Sequence, residues 1–326
     1  MILAGDIGGS TTRLALFESH GGRLGAAAEA RYPSREHAGL AEVVEVFRAA
    51  HPARVRRAAF GIAGPVRDGR VETPNLPWVI EADDLARRLA LPRVTLLNDL
   101  EANAYGVFTL EPEDFAELNA GRPSPTGNAA IIAAGTGLGE AGYHASGSVL
   151  HPFASEGGHA DFAARGDLEA ELLARLRGKL GHVSYERVLS GPGLVNLYTF
   201  LRDTGRGSEE AWLSDSIATG DPAAAIAGAA LDGRSPLAER ALDMFVSIYG
   251  AEAGNLALKM KATRGIYLGG GIAPKILPFL RHPVFMEAFT DKGRFREFME
   301  AIPVRVILDD ATALRGAAWH ALSCEG

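Results

Sequence analysis

The sequence predicts a layered α/β protein built from two domains. Three observations carry this. The chain has 326 residues, more than a single hydrophobic core usually serves. Short apolar runs alternate with amphipathic stretches in its first third, the order of strands and helices in an α/β layer. One local design also occurs twice: an apolar strand, a glycine turn and a second strand begin at Ile2 and again at Ala129. The repeat points to a duplicated domain.

The first copy, Ile2 to Phe17, reads strand, Gly8-Gly9 turn, strand. Paired glycines make an ordinary hairpin turn, but they also bring backbone N–H groups close to an anion. Ser10, Thr11 and Thr12 add hydroxyl donors, and Asp6 adds a carboxylate able to hold a cation near that anion. A turn at Gly21-Gly22 leads to a strand ending at Tyr32-Pro33. Leu40, Val43, Val44 and Phe47 fall on one helical face, and His51-Pro52 stops that helix. Val55 to Ala63 reads as a buried strand. Thr73 to Trp78 is a loop because it holds two prolines. Glu81 to Ala90 is helical, Val94 to Leu97 is a strand, and Leu100 to Phe108 is a helix.

Prolines, glycines and acids crowd Glu111 to Pro125, which reads as a hinge. The second copy follows: strand Ala129–Ala134, turn from Gly135-Thr136-Gly137, then a strand to Tyr143. Helices are expected at Asp167–Leu180, at Leu194–Leu201 and through much of 222–262, with Met244, Phe245, Ile248, Leu256 and Leu258 in the core. Gly265–Leu268 is a strand ending in Gly269-Gly270-Gly271, and Val304–Leu308 is the last strand. Asp309-Asp310 could cap a final helix, Ala313 to Leu322.

Composition narrows the classes. There are 33 Lys+Arg against 40 Asp+Glu, a net charge of −7, with no basic block, so a nucleic-acid partner is not expected. Such a protein meets a phosphate with local dipoles and a metal. The single cysteine, Cys324, excludes a disulfide framework and suits a reducing cytosol. No signal-type segment opens the chain, and no apolar run approaches the roughly 20 residues that span a bilayer. A soluble cytoplasmic protein is expected.

Several patterns are decoys. Gly137 to Gly142 matches G-x-G-x-x-G, but strand-like sequence follows where a dinucleotide site needs a helix. There is no G-x-x-x-x-G-K-[ST], and nothing like the H-R-D and D-F-G pair of protein kinases. Glu156 and His159 have E-x-x-H spacing, but Gly157-Gly158 interrupts it. Asp99 is more telling. It follows a strand and opens a helix, so it could simply cap that helix. It also sits where open α/β sheets bind ligands, well placed to take a proton from a hydroxyl.

Read together, the segments ILAGDIGGSTTRLAL, LLNDLEANAYG, AAGTGLGEAGY, EGGHADFA, YERVLSGPGLVNLY and YLGGGIAPK resemble bacterial-type glucokinase, of the sugar-kinase, actin and heat-shock-ATPase superfamily. The match runs in order along nearly the whole chain. The resemblance implies two α/β domains of duplicated ribonuclease-H-like topology around a central cleft, the actin-like ATPase fold. It implies residues 1–110 plus 308–326 as the small domain and 111–307 as the large one. It implies ATP-dependent phosphorylation of glucose at its 6-hydroxyl, with a kinase for another hexose or amino sugar, or a non-catalytic sugar sensor, as alternatives. Sensors of this fold carry a preceding DNA-binding segment, for which a first strand at Ile2 leaves no room.

Carried across by position, Asp99 is the general base. Asn98, Glu156, His159, Glu186 and, on a sugar-side loop, Asn75 bind the sugar; Gly137 is assigned to both ligands. Asp6, Gly8, Gly9, Ser10, Thr11, Gly135, Thr136, Gly269, Gly270 and Gly271 would bind ATP, with Asp6 holding Mg2+ through water. The related repressor/kinase group has a cysteine-rich zinc motif after its E-G-G-H-like loop; this chain has no cysteine there, so zinc is not expected. A homodimer is implied.

Overall fold

The computed structural model describes residues 1–21, 23–73, 76–147 and 149–323, which divide into two compact units. The first comprises Met1–Asp114 and the chain from Asp309 onward; the second is Phe115–Leu308.

In the first unit, β1 (Ile2–Ile7), β2 (Thr11–His20) and β3 (Arg23–Pro33) form an antiparallel meander. Next come α1 (Leu40–Ala50), β4 (Arg57–Ile62), a hairpin of β5 (Arg70–Glu72) and β6 (Val79–Glu81), α2 (Ala82–Leu89), β7 (Thr95–Asn98) and α3 (Asp99–Gly106). The sheet order is β3-β2-β1-β4-β7, with β1, β4 and β7 parallel. Their register sets Ile7 beside Ile62, and Ile62 beside Asn98, so three C-terminal strand ends share one edge of the sheet. Leu3, Phe47, Phe60 and Leu85 pack one face of this sheet. The other face is covered by the last helix, whose Leu314, Ala317, Ala318 and Ala321 meet Ile2, Ala4, Phe17 and Ala59.

The second unit begins with β8 (Phe115–Asn119). A new meander follows: β9 (Ala129–Ala134), β10 (Leu138–Ser146) and β11 (Val149–Ser155). The helices α4 (Gly166–Leu180), α5 (Gly191–Asp203), α6 (Ala211–Thr219), α7 (Pro222–Leu231) and α8 (Pro236–Met260) precede β12 (Gly265–Gly269). Short helices α9 (Leu277–Leu280), α10 (Pro283–Thr290) and α11 (Arg296–Glu300) precede β13 (Val304–Ile307), and α12 (Thr312–Ser323) belongs to the first unit. The order β11-β10-β9-β12-β13 repeats that of the first sheet strand for strand, and in direction, with β8 added antiparallel at the edge. The long α8 supplies Leu242, Phe245, Tyr249 and Leu256 to the core. Leu258 is half-buried beside it.

Three differences from the sequence reading bear on the fold and the site. The segment read as a hinge contains β8, held by Asn119, whose amide donates to the Glu300 and Ile302 carbonyls at 3.0 and 2.6 Å. The hairpin β5–β6 flanks the proline loop; three-residue strands are too short to show a period. Of the two aspartates before α12, only Asp309 serves its start, accepting from the Ala311 N–H at 2.8 Å. Asp310 pairs with Arg13 and Arg31 at 3.1 and 2.9 Å instead. Asn75 and Cys324 lie outside the described residues.

Candidate functional site

The first unit gathers its candidates at the C-terminal ends of β1 and β7. Asn98 caps α3: its Oδ1 accepts from the Leu100 N–H at 2.9 Å. Glu101, three residues on, accepts from the Asn98 N–H, which completes a reciprocal capping box. The Asn98 Nδ2 donates to the Gly64 carbonyl at 3.0 Å. Asn98 therefore fixes the first turn of α3, with one N–H and one lone pair of its amide left over. Asp99 is the first residue of that turn, half-buried, with Oδ1 against the Leu100 N–H at 2.9 Å.

Asp6 stands near Asp99. Burial, and then the Asp99 charge, push the Asp6 carboxyl up to about 6, against the pull of Arg13. Two carboxylates at one sheet edge repel, and a divalent cation would relieve both.

The glycine turn between β1 and β2 is built as a scaffolded loop. Gly8 N–H donates to the Thr11 carbonyl at 2.9 Å. Ser34, fully buried, donates to the Gly8 carbonyl at 2.8 Å, bonds the Thr12 hydroxyl at 3.0 Å and sends its N–H to the Ser10 carbonyl at 3.0 Å. Thr12 is therefore a buttress rather than a ligand donor, whereas the Ser10 and Thr11 side chains are exposed. A small cavity beside the turn is lined by Ile7, Gly8, Gly9, Ala63, Thr73 and Leu76. Ser34 was missed in the sequence because a lone serine before a helix carries no signal of a contact 26 residues back.

The second unit assembles the rest at the ends of β9 and β12. Gly135 N–H donates to the Gly137 carbonyl at 2.9 Å, and Gly191 N–H to the Gly135 carbonyl at 2.8 Å, so the turn rests on the start of α5. Ser190 caps that helix through Gly193 N–H at 3.0 Å. The Glu186 carboxylate accepts from Leu138 N–H at 3.1 Å. A Cβ at Gly137 would stand 2.6 Å from that carboxylate, so Gly137 and Glu186 are neighbours. Thr136 is exposed at the tip.

Gly270 has φ +78, a left-handed conformation, and its α-carbon lies against the Ala134 carbonyl. Ile272 N–H donates to the same carbonyl at 3.2 Å. Gly269 to Gly271 are thus joined to the end of β9 just before Gly135. Glu156 precedes and His159 ends a single 3-10 turn, Gly157–His159, and both side chains are exposed. Tyr185 N–H donates to the Ala160 carbonyl at 3.0 Å and ties the 156–160 segment to the one bearing Glu186.

Within each unit, then, the described candidates stand at one edge of the sheet. Among the described residues no three His, Cys, Asp or Glu side chains form a metal cluster. No helix of the described residues is long and apolar enough to cross a membrane.

A sequence model of the family described as Glucokinase matches residues 3–323. A glucokinase of a Nostoc species is 42% identical over 334 residues, covering 98% of each chain. The crystal structure of a glucokinase from an Antarctic psychrotroph superposes with a TM-score of 0.86 at 30% identity, covering 98% of each chain. A ROK family glucokinase from Streptomyces griseus, solved with glucose and AMPPNP, shares the fold at 22% identity and a TM-score of 0.66, covering 98% of this chain and 99% of that one. With the family model spanning nearly its whole length, the chain belongs to the glucokinase family.

Proposed function

We propose that this protein transfers the terminal phosphoryl group of ATP to the 6-hydroxyl of glucose. The observation that carries the residue assignment is Asp99: a carboxylate at a parallel strand end, in a helix turn locked by a capping box. Asp99 takes the hydroxyl proton as the sugar oxygen bonds to the γ-phosphorus. The bond from that phosphorus to the β–γ bridging oxygen breaks, and ADP leaves with its electron pair. Phosphoryl transfer asks the protein mainly for positioning and charge stabilisation.

Asn98, Glu156, His159, Glu186 and Gly137, with Asn75, hydrogen-bond the remaining hydroxyls. Fixed polar partners of this kind reject sugars that leave them unpaired. The N–H groups of Gly9 and Gly137, with the Ser10, Thr11 and Thr136 hydroxyls, hold phosphates; Gly8 and Gly135, whose own N–H groups bond the Thr11 and Gly137 carbonyls, shape the two turns around them, and Gly269–Gly271 lie along the nucleoside. Asp6 is a hard oxygen donor that fits Mg2+, which keeps several waters and takes one or two carboxylates with substrate phosphates. When bound, the metal neutralises charge on the phosphates. The finer fold is a duplicated ribonuclease-H-like unit, with functional domains 1–110 plus 308–326 and 111–307. The enzyme works as a cytoplasmic homodimer.

A coupled ADP-release assay over glucose, fructose, mannose, glucosamine and N-acetylmannosamine tests this reading. Glucose should exceed the others in kcat/KM by at least roughly tenfold. A preferred amino sugar would replace glucose as substrate. Glucose binding without ADP release from any sugar would leave a sensor.

A further inference from the structure

Beneath the Glu156–His159 turn lies a sealed pair of carboxyls that the reaction above does not use. Glu140, on β10, is 1% exposed, and Glu252, on α8, is 0% exposed. Glu252 is supplied with donors: Asn255 Nδ2 on Oε2 at 2.7 Å, Lys259 Nζ on Oε1 at 3.2 Å, and the Tyr185 hydroxyl. Among the described residues Glu140 Oε1 has no donor. An ionised carboxylate with an orphaned oxygen in a buried site is expensive, so of the two it is Glu140 that carries a proton, which it can give to Glu252 as a hydrogen bond.

Both sugar-side segments rest on this pair. The α-carbon of Gly157 lies over Glu140: a Cβ there would stand 2.0 Å from Oε2. The Ser155 hydroxyl donates to the Glu140 carbonyl at 2.9 Å and accepts from Gly157 N–H at 3.2 Å. On the other side, Tyr185 precedes Glu186 in the chain. Its hydroxyl also accepts from Asn255 Nδ2 at 3.0 Å and from the Ala163 N–H. Lys292 closes the cluster with Nζ on the Asn255 Oδ1 at 2.7 Å and on the Ala251 carbonyl at 3.0 Å.

We propose that Glu140, hydrogen-bonded through its proton to Glu252, is a positioning residue that sets the height of the Gly157 backbone and hence where Glu156 and His159 stand. The inference rests on the sugar-binding role given to those two residues. It is independent of Asp99 and of the phosphate turns. Burial, and then the Glu252 charge, raise the Glu140 carboxyl well above the usual carboxylate range, partly offset by Lys259. The neutral acid is thus the form that supports the turn at neutral pH. A glutamine has the same shape and a donor N–H, so it can stand in for that form.

The test measures KM for glucose, KM for ATP, kcat and thermal midpoint for E140A, E140Q, G157A and the E140A/G157A double variant. E140A should raise the glucose KM by about tenfold or more, the scale of a displaced binding group, with the ATP KM within about twofold. E140Q should return the glucose KM to within about twofold of wild type. G157A should raise the glucose KM as well, and the double variant should be less impaired than the two single effects multiplied, because removing the carboxyl makes room for the new methyl. E140A with a lowered midpoint but an unchanged glucose KM overturns the positioning role and leaves the glucokinase reading intact. Should E140A fail to fold, G157A and E140Q decide: a normal glucose KM in G157A, or a tenfold rise in E140Q, overturns it. A wild-type protein that neither binds nor phosphorylates glucose overturns both readings.

Discussion

The two sheets share strand order and direction, but the two units differ in the carboxyl pairs they hold. The first presents an ionisable pair, Asp6 and Asp99, half-buried at the ends of β1 and β7. The second seals its pair, Glu140 and Glu252, under a glycine turn and leaves Glu156 and His159 exposed above it. Topology thus fixes which strand ends share an edge, and the side chains decide what chemistry that edge can offer. On the assignment proposed above, charge, proton and metal would fall to the first unit and hydroxyl recognition chiefly to the second.

That division can be broken by mutation. The largest effect is expected from Asp99→Ala: turnover should fall roughly 10²–10⁴-fold, the usual worth of a general base, while glucose still binds. Near-normal turnover would take the proton away from the first unit. Next, Glu156→Ala and His159→Ala should each raise the glucose KM by roughly tenfold while changing kcat far less. If the glucose KM stays put in both, neither residue belongs to the site, and the second unit's share of recognition shrinks to Glu186 and Gly137.

The smallest effect concerns Asp6. Its folded-state pKa of about 6 lies above the ordinary 3.8, so the folded protein holds this proton more tightly than the unfolded chain does. That favourable contribution is fully present below 3.8 and is lost as pH rises through about 6. In metal-free buffer, Asp6→Asn should therefore raise the thermal midpoint at pH 8 by about a few degrees, with the gain vanishing as pH falls toward 4. A midpoint lowered at pH 8 would show that Arg13 outweighs burial and Asp99.

Much of this was legible in the sequence because it is local. A glycine turn between apolar runs needs no distant partner to be recognised, and neither does an aspartate placed between a strand and a helix. The strand β8 was not legible, because Phe115–Asn119 is short, set among prolines and acids, and defined by pairing with Val304–Ile307 nearly two hundred residues later. The roles of Ser34, Thr12 and Glu140 were hidden for the same reason. Each depends on a contact between segments far apart in sequence. Besides the sugar-binding role proposed for Asn98, its place in a capping box is legible from Glu101, three residues on.

The last helix has one further consequence. Leu314, Ala317, Ala318 and Ala321 cover the face of the first sheet that carries Ile2, Ala4, Phe17 and Ala59, and Gly316 lies against the Ala102 carbonyl of α3. The whole second unit is encoded between that sheet and its cover. On the ribosome, the opening strands are made first yet remain open on one side until residues 312–323 emerge. The contiguous second unit is complete before the unit that surrounds it in sequence can close.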